Sequence, residues 1–345
     1  MNPKALIERI EDWYLADKQA QYGLSFSRIL IGAALLGILI TNLGTRYVLW
    51  GPGSQWAAGI RESSTFGGLN QIFSTASPLL FTAQYVLLMA LAVAVIVGWR
   101  TRVCSVLLLV GMTALVERNP MVGDQGDNIA RIGLIWLILT TASTHWSLDA
   151  RRRRRASMGR SPSNLVTKLF AGLSVLPPWC GALIHNVALT GLALQVFVLY
   201  LASALYKVQG ELWQNGTALY YPLSLHEYGV FPWLNQLLTG WGPGVTVATY
   251  FAVFVQLFFA PALLHPFTRR IAVLAVILMH LGIAVLMGLP WFSLSMIAFD
   301  GIFVAGSTYQ RIDARARRTA GSILARVLRT RAGAWLPAPQ HLTNS

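Results

Sequence analysis

Charge is what this sequence has least of. Asp, Glu, Lys and Arg make up 12% of its 345 residues, about half of the ~25% usual in a soluble domain. A soluble fold of this length could not cover its surface with so few charges. That excludes a soluble enzyme and a disordered tail and leaves a polytopic membrane protein. Lysine is scarcest: four of the 27 basic residues, the rest being arginine. The two cysteines, Cys104 and Cys180, lie in or beside apolar runs without metal-ligand spacing, so no disulfide framework is indicated. P-loop, GxGxxG, GxSxG, HExxH and CxxC patterns are all missing, which argues against nucleotide hydrolysis, dinucleotide binding, serine hydrolysis and thiol chemistry. The N-terminus mixes Glu8, Glu11, Asp12 and Asp17 with Lys4, Arg9 and Lys18, unlike the n-region of a cleaved signal, so the first helix is expected to stay in the mature protein.

What is present is apolar: 55% hydrophobic residues and a mean hydropathy of +0.54. Eight apolar runs stand out, Phe26–Leu43, Leu79–Val97, Val103–Val116, Ile129–Ser143, Leu183–Tyr206, Val245–Leu264, Ile271–Gly288 and Trp291–Ala305. They predict an all-α bundle of about eight transmembrane helices. Residues 1–24 read as an interfacial amphipathic segment through Leu6, Ile7, Ile10, Trp13 and Tyr14. Residues 25–308 form the membrane domain, and 309–345 a basic cytoplasmic tail. With both termini inside, 22 of the 27 basic residues fall on cytoplasmic segments and five outside (Arg46, Arg61, Arg118, Arg131 and Lys207). The net charge of +14 then marks the cytoplasmic face of a cell-membrane protein and its contact with the lipid bilayer. The run Arg151–Arg155 reads as a topology anchor, and nucleic acid is not expected as a partner.

The third and fourth runs are short. Fourteen residues reach about 21 Å against a hydrocarbon core of about 30 Å. The connection between them, Glu117 to Asn128, is therefore expected to sink below the outer surface, where ionisable groups are costly and are functional candidates. Asp127 is placed to N-cap the fourth span and to pair with Arg131 one turn on. The plain alternative is a self-satisfied polar turn. Lys207, the one lysine outside, shares a helix face with Tyr200 and Ser203. It reads either as a snorkelling lysine or as a general base. His280 and Asp300 flank the turn at Gly288-Leu289-Pro290 at equal depth and are expected to pair. The outer loops, about 45–78 and 208–244, carry Trp50, Trp56, Trp213, Tyr220, Tyr221, Trp233 and Trp241, as an aromatic belt or a lid over an amphipathic ligand.

Four stretches carry a family resemblance: Leu24-Ser25-Phe26-Ser27-Arg28-Ile29; Asp127-Asn128 with His145-Trp146-Ser147-Leu148-Asp149; Tyr206-Lys207-Val208 with Trp213-Gln214-Asn215-Gly216; and His280 with Phe292-Ser293-Leu294-Ser295-Met296. In order and on consistent sides, these resemble the HTTM family, the horizontally transferred transmembrane domain shared with vitamin K-dependent gamma-carboxylases. The resemblance implies that Lys207 is a base acting on a reduced quinone. Asn128 stands where the carboxylases have a histidine, and one extra residue precedes Trp213. The large extracytoplasmic domain that grips the carboxylases' protein substrate has no counterpart after the eighth run, so glutamate carboxylation is not implied. The expectation is a gamma-carboxylase-related membrane enzyme acting on a peptide or small substrate outside. Lys207, Asn128 and Asp127 form its catalytic group. Glu117, Arg118, Asn119, Asp124, Arg131, Tyr200, Trp213, His280 and Asp300 line the site. The alternative is a non-enzymatic factor for maturation, export or immunity to a secreted peptide; a transporter is the third reading.

Overall fold

A computed structural model describes residues 3–61, 67–73, 77–123, 125–158 and 176–333. Among them every regular element is helical. The chain divides into two units, Met1–Val304 and Ala305–Ser345. The first contains α1 (Pro3–Leu15), α2 (Gln21–Thr41), α3 (Pro78–Val97), α4 (Thr101–Val116), α5 (Gln125–Leu139), α6 (Leu148–Met158), α7 (Pro178–Val208), α8 (Gly242–Leu257), α9 (Pro266–Leu286) and α10 (Pro290–Asp300). The second contains α11 (Gly306–Gly333), with an Asp313–Arg317 ion pair of 2.9 Å one turn apart.

Every apolar run lies on a helix, and punctuation residues set several ends. Proline opens α3, α7, α9 and α10, where its missing N–H costs nothing. Gly98, in the left-handed region at φ 70°, closes α3. Four helices, α2, α3, α7 and α9, are each long and apolar enough to cross a membrane, and six spans result if two bent helix pairs each count as one. One such pair is Pro232–Thr239 with α8, bent by 97°. The 16-residue α4 and the 15-residue α5 fall short of a full span.

The outward faces are apolar. Leu79 and Leu87 on α3, Val198 on α7 and Leu274 on α9 are all more than half exposed. Water would not tolerate such rows, and lipid does. The interior is built on α2 and α10, which pack on each other; α2 also meets α3 and α5, and α10 meets α9 and α5. Their approach is close at Gly23, where an added Cβ would stand 2.7 Å from the Gly301 carbonyl oxygen and 2.8 Å from the Ile302 Cα.

Two polar clamps close one end of the bundle. Arg28 on α2 is buried, and its guanidinium donates to the carbonyls of Val95 (2.5 Å) and Ile96 (2.5 Å) at the end of α3. It also reaches those of Ala142 (3.1 Å) and Trp146 (2.9 Å) beyond α5, with His145 at 3.5 Å. Two of these carbonyls belong to the last turn of α3, where a helix end leaves acceptors short of donors and a cation also meets the negative end of the helix dipole; the others belong to the connection after α5. Asp149 accepts from the backbone N–H of Arg100 (3.0 Å) and Thr101 (2.8 Å) and from the Thr101 hydroxyl (2.8 Å), holding the start of α4. The segment after α1 is tied to α7. Asn186 donates to the carbonyls of Trp13, Tyr14 and Asp17 and accepts from the Gln19 N–H, while His185 bridges the Gln19 carbonyl and Thr141.

Candidate functional site

The polar groups at the opposite end fall into three neighbourhoods. The first is the turn between α4 and α5. Glu117, Arg118 and Asn119 are buried there. Arg118 donates to the Trp50 and Phe73 carbonyls, and the Asn119 amide donates to the Leu49 carbonyl (2.9 Å), so the turn is anchored to the connection between α2 and α3. Arg131 bonds Glu117 at 3.3 Å and Asn128. The expected Asp127–Arg131 pair is thus replaced. Helical spacing brought Arg131 to the correct face, but Glu117, at the end of the neighbouring helix, lies within closer reach. Asp127 is not the N-cap either: α5 starts two residues earlier, at Gln125, and Asp127 sits in its first turn, still favourable to the helix dipole. Asp124 lies outside the described residues.

Beside this turn is a cavity of about 180 Å³. Asp127 enters its wall, with Asn42, Trp50, Trp291 and Phe292 among aliphatic residues of α2 and α4. The turn from Gly288 to Pro290 closes one side. Of the described site residues expected from the sequence, only Asp127 lines this space.

The second neighbourhood is Lys207, near the end of α7. Its ammonium donates to Ser203 Oγ (2.8 Å) and to Gln256 Oε1 of α8 (2.5 Å), and lies 5.3 Å from the centre of the Trp213 ring. The shared face of Tyr200, Ser203 and Lys207 is therefore real, and Trp213 joins it. No carboxylate pairs with Lys207 among the described residues. The structure does not bring Lys207 to Asp127 and Asn128: it faces α8, not the cavity wall.

The third neighbourhood lies deeper. Tyr200 Oη is 2.9 Å from both Asp300 carboxylate oxygens and 3.1 Å from His280 Nε2. All three residues are buried. The expected His280–Asp300 pairing is mediated: the tyrosine hydroxyl stands between them and ties α7 to α9 and α10. His280 also packs edge-on against Phe292, at 6.0 Å between ring centres, and Phe292 lines the cavity. Sequence reasoning did not foresee Gln256 as the partner of Lys207. The signal available was a single amide inside an apolar run.

The outer segment 220–241, expected as part of a lid or an aromatic belt, is fastened to the end of α9 and contributes no residue to the cavity wall among those described. The Asn235 amide donates to the Leu223 (3.2 Å) and Leu286 (3.0 Å) carbonyls, fastening the Pro232–Thr239 helix to the end of α9. Its Trp233 and Leu237 remain largely exposed, as an interfacial helix requires. Among the described residues no group of three or more His, Cys, Asp or Glu stands close enough to hold a metal ion.

No family model matches the chain. A curated relative, "Uncharacterized protein YitO" of Bacillus subtilis (strain 168), is 27% identical over 215 residues, 60% of this chain. The match spans about 62% of that protein's length. No solved structure matches.

Proposed function

We propose that this chain is an eight-span membrane protein of the HTTM type, with both termini cytoplasmic. Its role is enzymatic: it modifies an amphipathic peptide or small substrate at the extracytoplasmic end, with Lys207 as the base and a reduced quinone as the co-substrate that the resemblance implies. One observation carries this reading. Lys207 is held by two neutral acceptors, Ser203 and Gln256, and pairs with no carboxylate among the described residues. Neutral oxygens serve an ammonium and still leave the amine free to cycle, whereas an ion pair would hold it protonated. The segregation of Arg28, Arg100, Arg102, Arg152 and Arg153 at one end of the helices, away from Lys207, supports the orientation.

The test is a host strain lacking this chain, complemented with the wild type, Lys207→Ala or Lys207→Arg. Its secreted peptides and lipids are then compared by mass spectrometry. A mass-shifted product seen only with the wild type supports the base. Its restoration by arginine refutes a proton-accepting role, because arginine stays protonated. A second reading, a factor that binds a secreted peptide without reacting, is favoured by the cavity wall, from which Lys207 is missing. In that case Lys207→Ala leaves the products unchanged, and a bulky Met112→Trp substitution in the cavity wall abolishes the phenotype.

A further inference from the structure

The end of the bundle closed by Arg28 and Asp149 holds three further cations with little to neutralise them. Lys18 lies in the connection between α1 and α2, Arg102 on the first turn of α4, and Arg153 on α6. The hydrogen bonds already described bring these segments together. Asn186 and His185 of α7 hold the segment 17–19, and His185 also holds Thr141. Two residues on, Ser143 accepts from Arg153 through its hydroxyl (3.1 Å) and its carbonyl (2.5 Å). Asp149 fastens Arg100 and Thr101, and with them Arg102, to the start of α6. Asp149, the acid that fastens Arg100 and Thr101, is already engaged, since it also pairs with Arg152 at 3.1 Å. Among the described residues Lys18 and Arg102 form no side-chain ion pair.

We infer that Lys18, Arg102 and Arg153 form a seat for a phosphate-bearing anion, the headgroup of an anionic phospholipid or a free phosphate. Three segments of chain converge on it, each with one donor-rich cation. Like charges assembled by a hydrogen-bonded frame repel one another unless an anion sits between them. Burial, and after it the charges of Arg102 and Arg153, hold the Lys18 ammonium below its ordinary pKa. A basic pocket between helices at the cytoplasmic level is where anionic headgroups bind. The exposed apolar face of α1, with Leu6, Ile7, Ile10 and Trp13, would lie along the acyl chains beside such a headgroup.

The experiment uses the full chain in phosphatidylcholine nanodiscs, titrated calorimetrically with dioctanoyl-phosphatidylglycerol and, separately, with inorganic phosphate. The site variant is Lys18→Gln/Arg102→Gln. Neither side chain donates a hydrogen bond to the frame, so the fold is expected to hold, and an unchanged thermal transition checks this. The control is Arg154→Gln/Arg155→Gln, which removes the same charge from the exposed face of α6. The site variant is expected to bind about 30-fold more weakly, at about 1 kcal/mol for each charge removed and 1.4 kcal/mol per tenfold, while the control changes less than about twofold. Loss with the lipid alone identifies a headgroup, and loss with phosphate identifies a soluble source; both support the seat. Equal weakening in the control, or no binding of either probe by the wild type, overturns it.

Discussion

Replacing Arg28 by methionine keeps the length of the side chain and removes every donor. Five carbonyls are within reach of the guanidinium. The Val95 carbonyl retains a second donor, the Gly98 N–H at 3.2 Å, and the His145 contact at 3.5 Å is long. Three carbonyls, of Ile96, Ala142 and Trp146, therefore lose their close side-chain donor. An orphaned buried acceptor costs about 1–3 kcal/mol in a water-soluble core. Within a membrane the unfolded reference also finds partners, and measured side-chain hydrogen bonds average about 0.6 kcal/mol. The two scales bracket the loss at about 2–9 kcal/mol, a large share of the ~5–15 kcal/mol that holds a typical protein folded. Arg28→Lys keeps the charge but has one donor group in place of a fork, and should lie between the two. The assay is thermal unfolding in detergent, followed by fluorescence-detected size exclusion. The expected order of midpoints is wild type, then lysine, then methionine, with methionine lower by at least about 5 °C. A methionine variant that unfolds with the wild type would refute the clamp. Arg28 would then be free for some other role.

Tyr200→Phe leaves the Asp300 carboxylate without the hydroxyl it shares with His280; destabilisation of about 1–3 kcal/mol is expected, and the double variant with Asp300→Leu should recover part of it in a double-mutant cycle. Gly23→Ala should destabilise by about 1–3 kcal/mol through overpacking against backbone that cannot move aside, read by the same thermal assay. Single cysteines in a Cys104→Ala/Cys180→Ala background test topology: in whole cells Gln209→Cys should react with an impermeant maleimide and Ser157→Cys should not. Equal labelling of both would refute the orientation. Asn235→Ala should loosen the Pro232–Thr239 helix, raising hydrogen exchange in 223–239 while leaving α2 and α3 protected.

The apolar helices were legible because each is a run bounded by proline, glycine or charge, as at Pro78 and Gly98. Side-chain partners were legible only within one helix. The face of Tyr200, Ser203 and Lys207 follows from spacing alone, whereas Gln256, which completes it, lies 49 residues further along and depends on how α7 meets α8. Asp127 and Arg131 show the opposite failure: correct spacing, but a better-placed acid on the adjacent helix. Arg28 was visible as the lone charge in the first run. That it caps carbonyls of two other chain segments depends on tertiary approach, which periodicity does not encode.

The length of α7 sets a scale for the surroundings. Asn186, which receives the N-terminal segment, and Lys207, which joins α8, are 21 residues apart (207 − 186) on one continuous helix. At ~1.5 Å per residue they stand about 31 Å apart, close to the thickness of a hydrocarbon core. Each is hydrogen-bonded to a neighbouring segment, Asn186 to residues 13–19 and Lys207 to Gln256 of α8. A bilayer thinner than the apolar length of α7 must thicken around it, and a thicker one must thin. The expected outcome is a stability that peaks along a series of lipids of increasing acyl-chain length.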